Sequence, residues 1–234
     1  MLEEEKTIVI KEFRLEDIAD HASILMIAKR GRGKHFVIGD IIKHYQNAKI
    51  PGMAISPQDK MYNFYNEFIS NEFISNENIH HEFTNDPIKR LLERQRLIIE
   101  KSQERAKIGK NTNTKAFIVM DNCLADKGNW QKDSMISELL FNGRHYHVSY
   151  LLTMQYPLGI KPELRHNFDY VFLFRDENFS NQKRMYEHYA GIFPDFETFR
   201  QVFLQLTSNG CMVIINIGIG NGNIFDKVMH YKII

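Results

Sequence analysis

The sequence predicts an α/β fold with a mainly parallel sheet flanked by helices and antiparallel strands added at its C-terminal end. Continuous apolar runs of β type, such as Ser23 to Ala28 and Ala116 to Met120, are typical of strands covered on both faces. Helical stretches alternate with these runs, which indicates crossover connections between parallel strands. The turn Gly220-Asn221-Gly222 ahead of Ile224 to Ile233 predicts a final antiparallel strand.

The same patterns predict the other elements. The remaining strands are expected at Thr7 to Phe13 (an edge strand), Met53 to Pro57, His147 to Thr153, Tyr170 to Phe174 and Cys211 to Ile215. Helices are expected at Phe36 to Gln46, Asp86 to Gly109, Gln131 to Phe141 and around Asn181 to Ala190. No linker divides the chain, so we expect one domain over residues 1–234, with a lead-in over 1–20 and a helical insertion over 60–110.

Composition limits the possible functions. The chain has 234 residues, of which 43% are hydrophobic and 25% charged, and this balance is typical of a globular protein with a sizeable core. The formal net charge of +1 excludes a nucleic-acid role that rests on global basicity; such a role needs a local patch or a ring of subunits. Cys123 and Cys211 lack a paired spacing, which favours buried thiols in a reducing compartment. No apolar run approaches the roughly 20 residues of a membrane span, and we expect a soluble, intracellular protein.

The segment from Ile24 to Phe36 is a buried strand followed by a glycine-rich turn that ends in Gly33-Lys34. It nearly matches the P-loop pattern G-x-x-x-x-G-K-[ST], with Ala28 and His35 in place of the first glycine and the hydroxyl. Glycines let backbone N–H groups surround a phosphate, the lysine reaches its terminal oxygens, and the next helix points its positive end at them. The alternative is a tight turn that contains Gly-Lys by chance. The candidate phosphate-binding residues are Lys29, Arg30, Gly31, Arg32, Gly33, Lys34, His35 and Phe36.

Two further strand ends offer polar groups. Asp121 directly follows an apolar strand, a position from which a carboxylate can hold Mg²⁺ beside a bound phosphate. Gln155 ends the next strand, and its amide can contact a γ-phosphate or orient the attacking water. Taken singly, Asp121 could be a turn or capping residue and Gln155 a surface residue. Because ligands of an open parallel sheet lie beyond the carboxyl ends of its strands, we expect the glycine loop, Asp121 and Gln155 to form one site.

Several longer segments follow the glycine loop, and two of them, Asn142-Gly143-Arg144-His145 and Met154-Gln155-Tyr156-Pro157, contain the most distinctive patterns of the chain. The segments are Asp121 to Lys127, Phe141 to His145, Thr153 to Leu158, Asn167 to Arg175 and Ile224 to Lys227. These segments resemble the genome-packaging ATPases of large double-stranded DNA viruses, the poxvirus-type branch of the FtsK/HerA superfamily of P-loop NTPases. The resemblance runs from about residue 20 to the C-terminus.

The resemblance implies a RecA-like sheet, ATP and Mg²⁺ as cofactors, and an oligomeric ring with the nucleotide at subunit interfaces. It also implies that the ring pumps double-stranded DNA into a capsid, together with capsid or packaging proteins, in the host-cell cytoplasm (virus factory) or the virion. The resemblance also implies residue roles. Gly31, Gly33 and Lys34 would bind phosphates, Asp121 would bind Mg²⁺, and Gln155 would sense the γ-phosphate. Arg144 would offer a positive charge across an interface, with Arg165 and Arg175 as alternative candidates.

The sequence departs from the family pattern at two candidate site residues, where His35 replaces Ser or Thr and Asn122 replaces Asp or Glu. Imidazole is a poor ligand for Mg²⁺, and an amide can orient a catalytic water but cannot take its proton. Three explanations stay open: a working motor with a variant site, a catalytically impaired ring subunit that binds nucleotide or DNA, and a deliberately altered loop. A small-molecule kinase shares the loop, but neither an arginine-rich lid nor an acceptor pocket is evident in the sequence.

Overall fold

The computed structural model describes residues 10–69, 74–123, 134–218 and 223–233. Within these ranges the strands are β1 Ser23–Ile27, β2 Gly52–Ile55, β3 Ile79–His80, β4 Ala116–Asp121, β5 Val148–Met154, β6 Tyr170–Phe174, β7 Gly210–Ile215 and β8 Val228–Lys232. They form one eight-stranded sheet in the order β3-β2-β4-β5-β1-β6-β7-β8.

The sheet is parallel from β3 to β6 and antiparallel at β7 and β8. The predicted fold class is therefore confirmed. This order places β5 between β1 and β4. The carboxyl ends of these three strands consequently meet at one edge of the sheet, which is where an open parallel sheet binds its ligands.

The helices are α1 Lys34–Asn47, α2 Asp59–Tyr62, α3 Asn85–Ala106, α4 Ser134–Asn142, α5 Pro162–Arg165, α6 Phe179–Tyr189, α7 Phe196–Leu206 and α8 Ile224–Lys227. They cover both faces of the sheet. Because successive side chains of a strand point to opposite faces, Leu25 and Ile27 of β1 pack with α3, α4, α6 and α7, whereas Ile24 and Met26 pack with α1. No helix in the described ranges is both long and apolar enough to cross a bilayer.

Three local predictions need correction or completion. The predicted strand Ile224 to Ile233 begins as a helical turn, because the Asn223 side chain accepts a hydrogen bond from the N–H of Phe225 and caps α8. Helix α7 is absent from the predicted elements, although Asp195 caps it by accepting from the N–H of Thr198. Of the predicted edge strand, residues 10–13 run beside β8 through a single parallel bridge.

Parts of other predicted features lie outside the described residues. They are residues 7–9 of the edge strand, the start of the predicted helix Gln131 to Phe141, and the turn Gly220-Asn221-Gly222.

Candidate functional site

The loop between β1 and α1 has the backbone of an anion-binding turn. Gly31 and Gly33 adopt left-handed conformations with φ of 74° and 83°, which side-chain-bearing residues rarely accept. Gly33 is the N-cap of α1, no side chain caps the helix, and its first turn carries no acidic residue. The N–H of Phe36 donates to the carbonyl of Gly33, so the N–H groups of Lys34 and His35 are the ones that keep their hydrogen-bonding capacity for an anion.

A buried charged cluster lies directly under this loop. Lys34 is only 8% exposed, and its Nζ donates to Oδ1 of Asp121 and, at 3.3 Å, to Oγ1 of Thr153. The Thr153 hydroxyl donates to the same Asp121 oxygen and accepts from the backbone N–H of Asn122 at 3.0 Å. Asp121 and Thr153 are register partners on β4 and β5. The sheet thus fixes the distance between the carboxylate and the hydroxyl.

Asp121 is held as an anion. Burial alone would raise its pKa, but the hydrogen bond from His35, the charge of Lys34 and the hydrogen bonds from Lys34 and Thr153 outweigh burial and hold the pKa well below its usual range. Because an ionised carboxylate only accepts hydrogen bonds, the Nε2–H of His35 is the donor to Oδ2, at 3.2 Å. The His35 ring also packs on Phe64, with ring centroids 4.8 Å apart.

The other cationic loop residues are each held by a partner in the same chain. Lys29 pairs with the buried carboxylate of Asp176 at 2.7 Å, and Arg32 pairs with Glu177. Arg30 donates to the hydroxyl of Tyr62 at 3.2 Å. The loop is therefore braced on both sides, by the segment after β6 on one side and by α2 on the other.

A cavity of about 570 Å³, hereafter the first cavity, opens over the loop. It is lined by every residue from Lys29 to Phe36 and by Asn122 and Gln155 from the ends of β4 and β5. Asn122 has a left-handed backbone with φ of 53°, which Asn tolerates, and its Nδ2 lies 3.3 Å from Oε1 of Gln58. The structure thus brings together the predicted loop residues, Asn122 and Gln155, with Asp121 just beneath them.

Arg144 lies elsewhere. It is in the turn before β5, and its Nη2 pairs at 2.8 Å with Oδ1 of Asp169, which precedes β6. Oδ2 of Asp169 accepts from the N–H of Ser23, the first residue of β1. Arg144 therefore lies at the amino edge of the strands, opposite the glycine loop, and strands of this length separate the two edges by about 20 Å. Its side chain is 54% exposed, so a neighbouring molecule can reach it.

The two rival arginines also have partners in their own chain. Arg165 donates from Nε to the carbonyl of Ile160 at 3.0 Å. Arg175 donates to the carbonyl of Leu204 at 2.7 Å and lies 3.7 Å from Glu177.

The residues at this edge fit a magnesium ion that is also bound by phosphate. Asp121 and Thr153 offer the hard oxygen ligands that Mg²⁺ prefers. No group of three or more His, Cys, Asp or Glu side chains suited to a metal gathers within the described part of the chain. The protein can therefore supply one carboxylate, with phosphate oxygens and water completing the shell, as is usual for Mg²⁺.

Sequence reasoning missed five residues of this site. It predicts Thr153 only as part of a strand, although a hydroxyl within an otherwise apolar buried run is the signal that could have singled it out. The other four line the first cavity from the segment after β2, and no sequence pattern predicts their approach; they are Gln58, Tyr62, Phe64 and Glu67.

The strand order, the loop and the buried lysine–aspartate pair define a nucleotide-binding fold of the P-loop type, and solved structures share this fold. The genome packaging NTPase B204 from Sulfolobus turreted icosahedral virus 2, in complex with ATP-gammaS, superposes with a TM-score of 0.63 at 13% identity over 93% of this chain and 100% of its own. The cytoplasmic domain of the Thermomonospora curvata type VII secretion ATPase EccC gives a TM-score of 0.57 at 11% identity over 90% of this chain and 25% of its own.

Sequence relatives are viral proteins. The uncharacterized protein L437 of Acanthamoeba polyphaga mimivirus is 42% identical over 95% of this chain and 76% of its own length. The uncharacterized protein 075L of Invertebrate iridescent virus 6 is 30% identical over 91% of this chain and 77% of its own length. The chain belongs to the family of these viral proteins, and its fold is that of a viral genome-packaging NTPase. No protein-family profile matches the sequence.

The buried ion pair of Lys34 and Asp121 should contribute to the stability of the fold. Asp121→Asn should lower the free energy of unfolding by about 3–5 kcal/mol near pH 7, because it leaves the buried Lys34 without a counter-charge. The folded pKa of Asp121 is depressed, so its stabilisation is complete above the unfolded pKa of about 4 and is lost as the pH falls toward the folded pKa. The difference between wild type and variant should therefore narrow in acid.

Urea unfolding at a series of pH values measures this difference. Asp226→Asn is the matched control, because it removes an exposed carboxylate paired with Lys11 and should change stability by less than about 1 kcal/mol. A difference between wild type and Asp121→Asn that stays constant down to about pH 3 would contradict the account of Asp121.

Proposed function

We propose that this protein is an ATP-driven double-stranded DNA translocase that packages a viral genome into a capsid, with ATP and Mg²⁺ as its cofactors. The observation that carries the proposal is the cluster of Lys34, Asp121 and Thr153 beneath a left-handed glycine loop. The likeness to B204, whose structure is described as that of a genome packaging NTPase, supports packaging as the role. Membership in a family of viral proteins supports it further.

The cluster has the chemistry that phosphoryl transfer requires, since that reaction depends mainly on positioning and on charge stabilisation. Lys34 has three donors on a flexible stem, so it can turn from Asp121 toward the oxygens of a phosphate in the loop. Asp121 then needs another cation, because a buried carboxylate that stays charged is costly without a counter-charge. Mg²⁺, when bound with the nucleotide, supplies that charge and neutralises the phosphates.

Gln155 and Asn122 are proposed to place the attacking water. Both line the first cavity beside the loop, and neither can act as a proton acceptor of useful strength. The hydrogen bond from Asn122 to Gln58 fixes the amide, so its carbonyl oxygen is free to orient a water. Turnover by such a site rests on geometry and charge rather than on a general base.

Arg144 is proposed to act on the site of a neighbouring copy. Its position at the amino edge excludes it from the site of its own chain, and its exposure suits an interface. In the proposed ring, each subunit is one domain, and Arg144 of one subunit supplies a positive charge to the site of the next. The proposed partners are double-stranded DNA and capsid or packaging proteins, in the virus factory or the virion.

A second candidate function is a catalytically impaired ring subunit that binds nucleotide or DNA. The contact that favours it is the hydrogen bond from His35 to Oδ2 of Asp121, because it occupies the oxygen that a metal ion would use. The amide at Asn122 adds to this argument.

The leading function predicts ATP hydrolysis stimulated by double-stranded DNA. Lys34→Ala should lower the rate by about 10²–10³-fold or more, because it removes the buried charge that binds the phosphates. Steady-state phosphate release measures both effects. Lys43→Ala on the exposed face of the same helix is the control and should keep the wild-type rate. A purified oligomer that neither binds ATP nor responds to DNA would contradict the proposal.

The second function predicts a gain of activity on restoring the family residues. The double variant His35→Ser, Asn122→Asp frees Oδ2 of Asp121 and supplies a carboxylate beside the water site. If the wild type is impaired, the ATPase rate of the double variant should exceed the wild-type rate by at least about tenfold, since a positioned acid–base group contributes roughly 10²–10⁴-fold. An inactive wild type whose double variant gains nothing rules out this explanation.

A complementation experiment tests the role of Arg144. Lys34→Ala and Arg144→Ala should each be inactive alone, since an arginine finger contributes about 10³–10⁵-fold. Mixed rings should regain part of the ATPase rate, because an intact loop of the Arg144→Ala subunit can meet an intact arginine of the other variant. Mixed rings that assemble but stay inactive would contradict the action of Arg144 on the site of a neighbouring subunit. Arg165→Ala mixed with Lys34→Ala provides the comparison for a rival arginine.

A further inference from the structure

Glu67 is the one acidic side chain among the described residues that line the first cavity. It is exposed, and within the described ranges no hydrogen bond or salt bridge holds its carboxylate. Asp121, which lies beneath the cavity, already accepts hydrogen bonds from three side chains. Among the described residues, Glu67 therefore has the carboxylate that is free to act on a ligand in the first cavity.

The short 3₁₀ helix Phe64–Phe68 turns Glu67 toward the first cavity. Because a 3₁₀ helix repeats every three residues, residues three apart share one face. Tyr65 and Phe68 form the buried face of this helix, whereas Phe64 and Glu67 form the face that lines the cavity. The position of Glu67 thus follows from the same periodicity that buries its neighbours.

This 3₁₀ helix is fastened to α1, the helix that follows the glycine loop. At its amino end the ring of Phe64 packs on the ring of His35. At its carboxyl end the carbonyl of Phe68 accepts from Nε2 of Gln46 at 2.9 Å. The Phe68 ring also lies 3.2 Å from where a Cβ on Gly39 would be, so the two helices pack closely. Contacts at both ends therefore hold Glu67 at a set position relative to the loop that binds phosphate.

We propose that Glu67 is the general base of ATP hydrolysis. This role rests on the proposed function and adds to it the group that takes the proton of the attacking water. The amides of Asn122 and Gln155 can place that water but cannot take its proton, so by themselves they leave turnover to positioning and charge. The family pattern has an acidic residue at position 122, and Glu67 supplies a carboxylate to the same cavity from another element.

The proton transfer belongs to the hydrolysis step itself. The oxygen of the water bonds to the γ-phosphorus while the bond from that phosphorus to the bridging oxygen breaks, and the bridging oxygen leaves with ADP. One proton of the water passes to the carboxylate of Glu67. Glu67 then returns this proton to the solvent, which its exposed position allows.

Glu67→Gln tests the role, because it keeps the shape of the side chain and removes the proton acceptor. The variant should bind ATP with wild-type affinity and release phosphate about 10²-fold more slowly or worse, since a positioned base contributes roughly 10²–10⁴-fold. Glu77→Gln, which changes an exposed glutamate of the 3₁₀ helix Asn76–Asn78, is the matched control and should alter neither value. A wild-type rate in Glu67→Gln, or loss of ATP binding in that variant, overturns the role.

A tandem repeat supplies a second comparison. The residues Asn66 to Ser70 are repeated directly as Asn71 to Ser75, so Glu72 is the equivalent of Glu67 in the second copy. Glu72 lies outside the described residues. Glu72→Gln should keep the wild-type rate. A slow Glu72→Gln beside a normal Glu67→Gln gives the role to the second copy and overturns the inference.

Rescue from position 122 distinguishes a proton acceptor from a structural residue. Asn122→Asp, added to Glu67→Gln, places a carboxylate in the first cavity again. The double variant should exceed the rate of Glu67→Gln by at least about tenfold. A structural role of Glu67 would not be restored from another element, so a double variant that gains nothing contradicts the proposed base.

Protection from chemical modification provides a measurement that does not depend on turnover. A water-soluble carbodiimide with an amine should label both Glu67 and Glu77, because both side chains are exposed. A non-hydrolysable ATP analogue should protect Glu67 and leave the labelling of Glu77 unchanged, as read by mass spectrometry of the same digest. Equal labelling of Glu67 with and without the analogue overturns its place beside the nucleotide.

The outcomes separate this role from the proposed function. A wild type whose ATPase rate responds to DNA, but which tolerates Glu67→Gln, overturns the role of Glu67 and leaves the proposed function standing. A wild type that binds ATP without hydrolysing it also overturns the role, and then favours the impaired ring subunit. A wild type that neither binds ATP nor responds to DNA overturns the proposed function itself.

Discussion

The ion pair between Lys34 and Asp121 is the contact on which the rest of the site depends. Removing two charges from water is costly, and a buried ion pair is stable only when its geometry is good and its remaining hydrogen-bonding groups have partners. Here Thr153 and His35 donate hydrogen bonds to the two oxygens of the carboxylate. The pair therefore constrains the start of α1 and the ends of β4 and β5 at once. A shift of any of these elements would leave a buried charge without a partner.

The sequence was sufficient for the elements that depend on local patterns. Long apolar runs identified most of the strands. Asp121 and Gln155 were identified as the polar residues that directly follow two of these runs. Thr153 escaped notice because its importance comes from cross-strand pairing with Asp121, and the register of β4 against β5 is a property of the assembled sheet. Likewise, the approach of Phe64 to His35 joins the segment after β2 to the loop after β1, and no local pattern encodes it.

The two departures from the P-loop family have different structural consequences. His35 is integrated into the site, since its ring packs on Phe64 while its N–H donates to Asp121. A serine at the same position would lack the ring that packs on Phe64, and its shorter side chain would not reach Asp121 in the same way. Asn122 instead takes a left-handed backbone conformation that asparagine adopts more readily than most residues, so the substitution fits the local backbone. The first change alters the environment of the carboxylate, and the second alters a side chain that lines the first cavity.

Asp176 joins the glycine loop to the start of α6. Its carboxylate accepts from Lys29 on the loop, from the N–H of Asn178 and from the side chain of Asn181, and its carbonyl accepts from Gln182. Three of these four hydrogen bonds come from the segment that begins α6, so Asp176 stays fixed to the helix whatever the loop does. Because Asp176 is buried, loss of the salt bridge would leave its carboxylate without a counter-charge, and the pair therefore fastens the loop to α6.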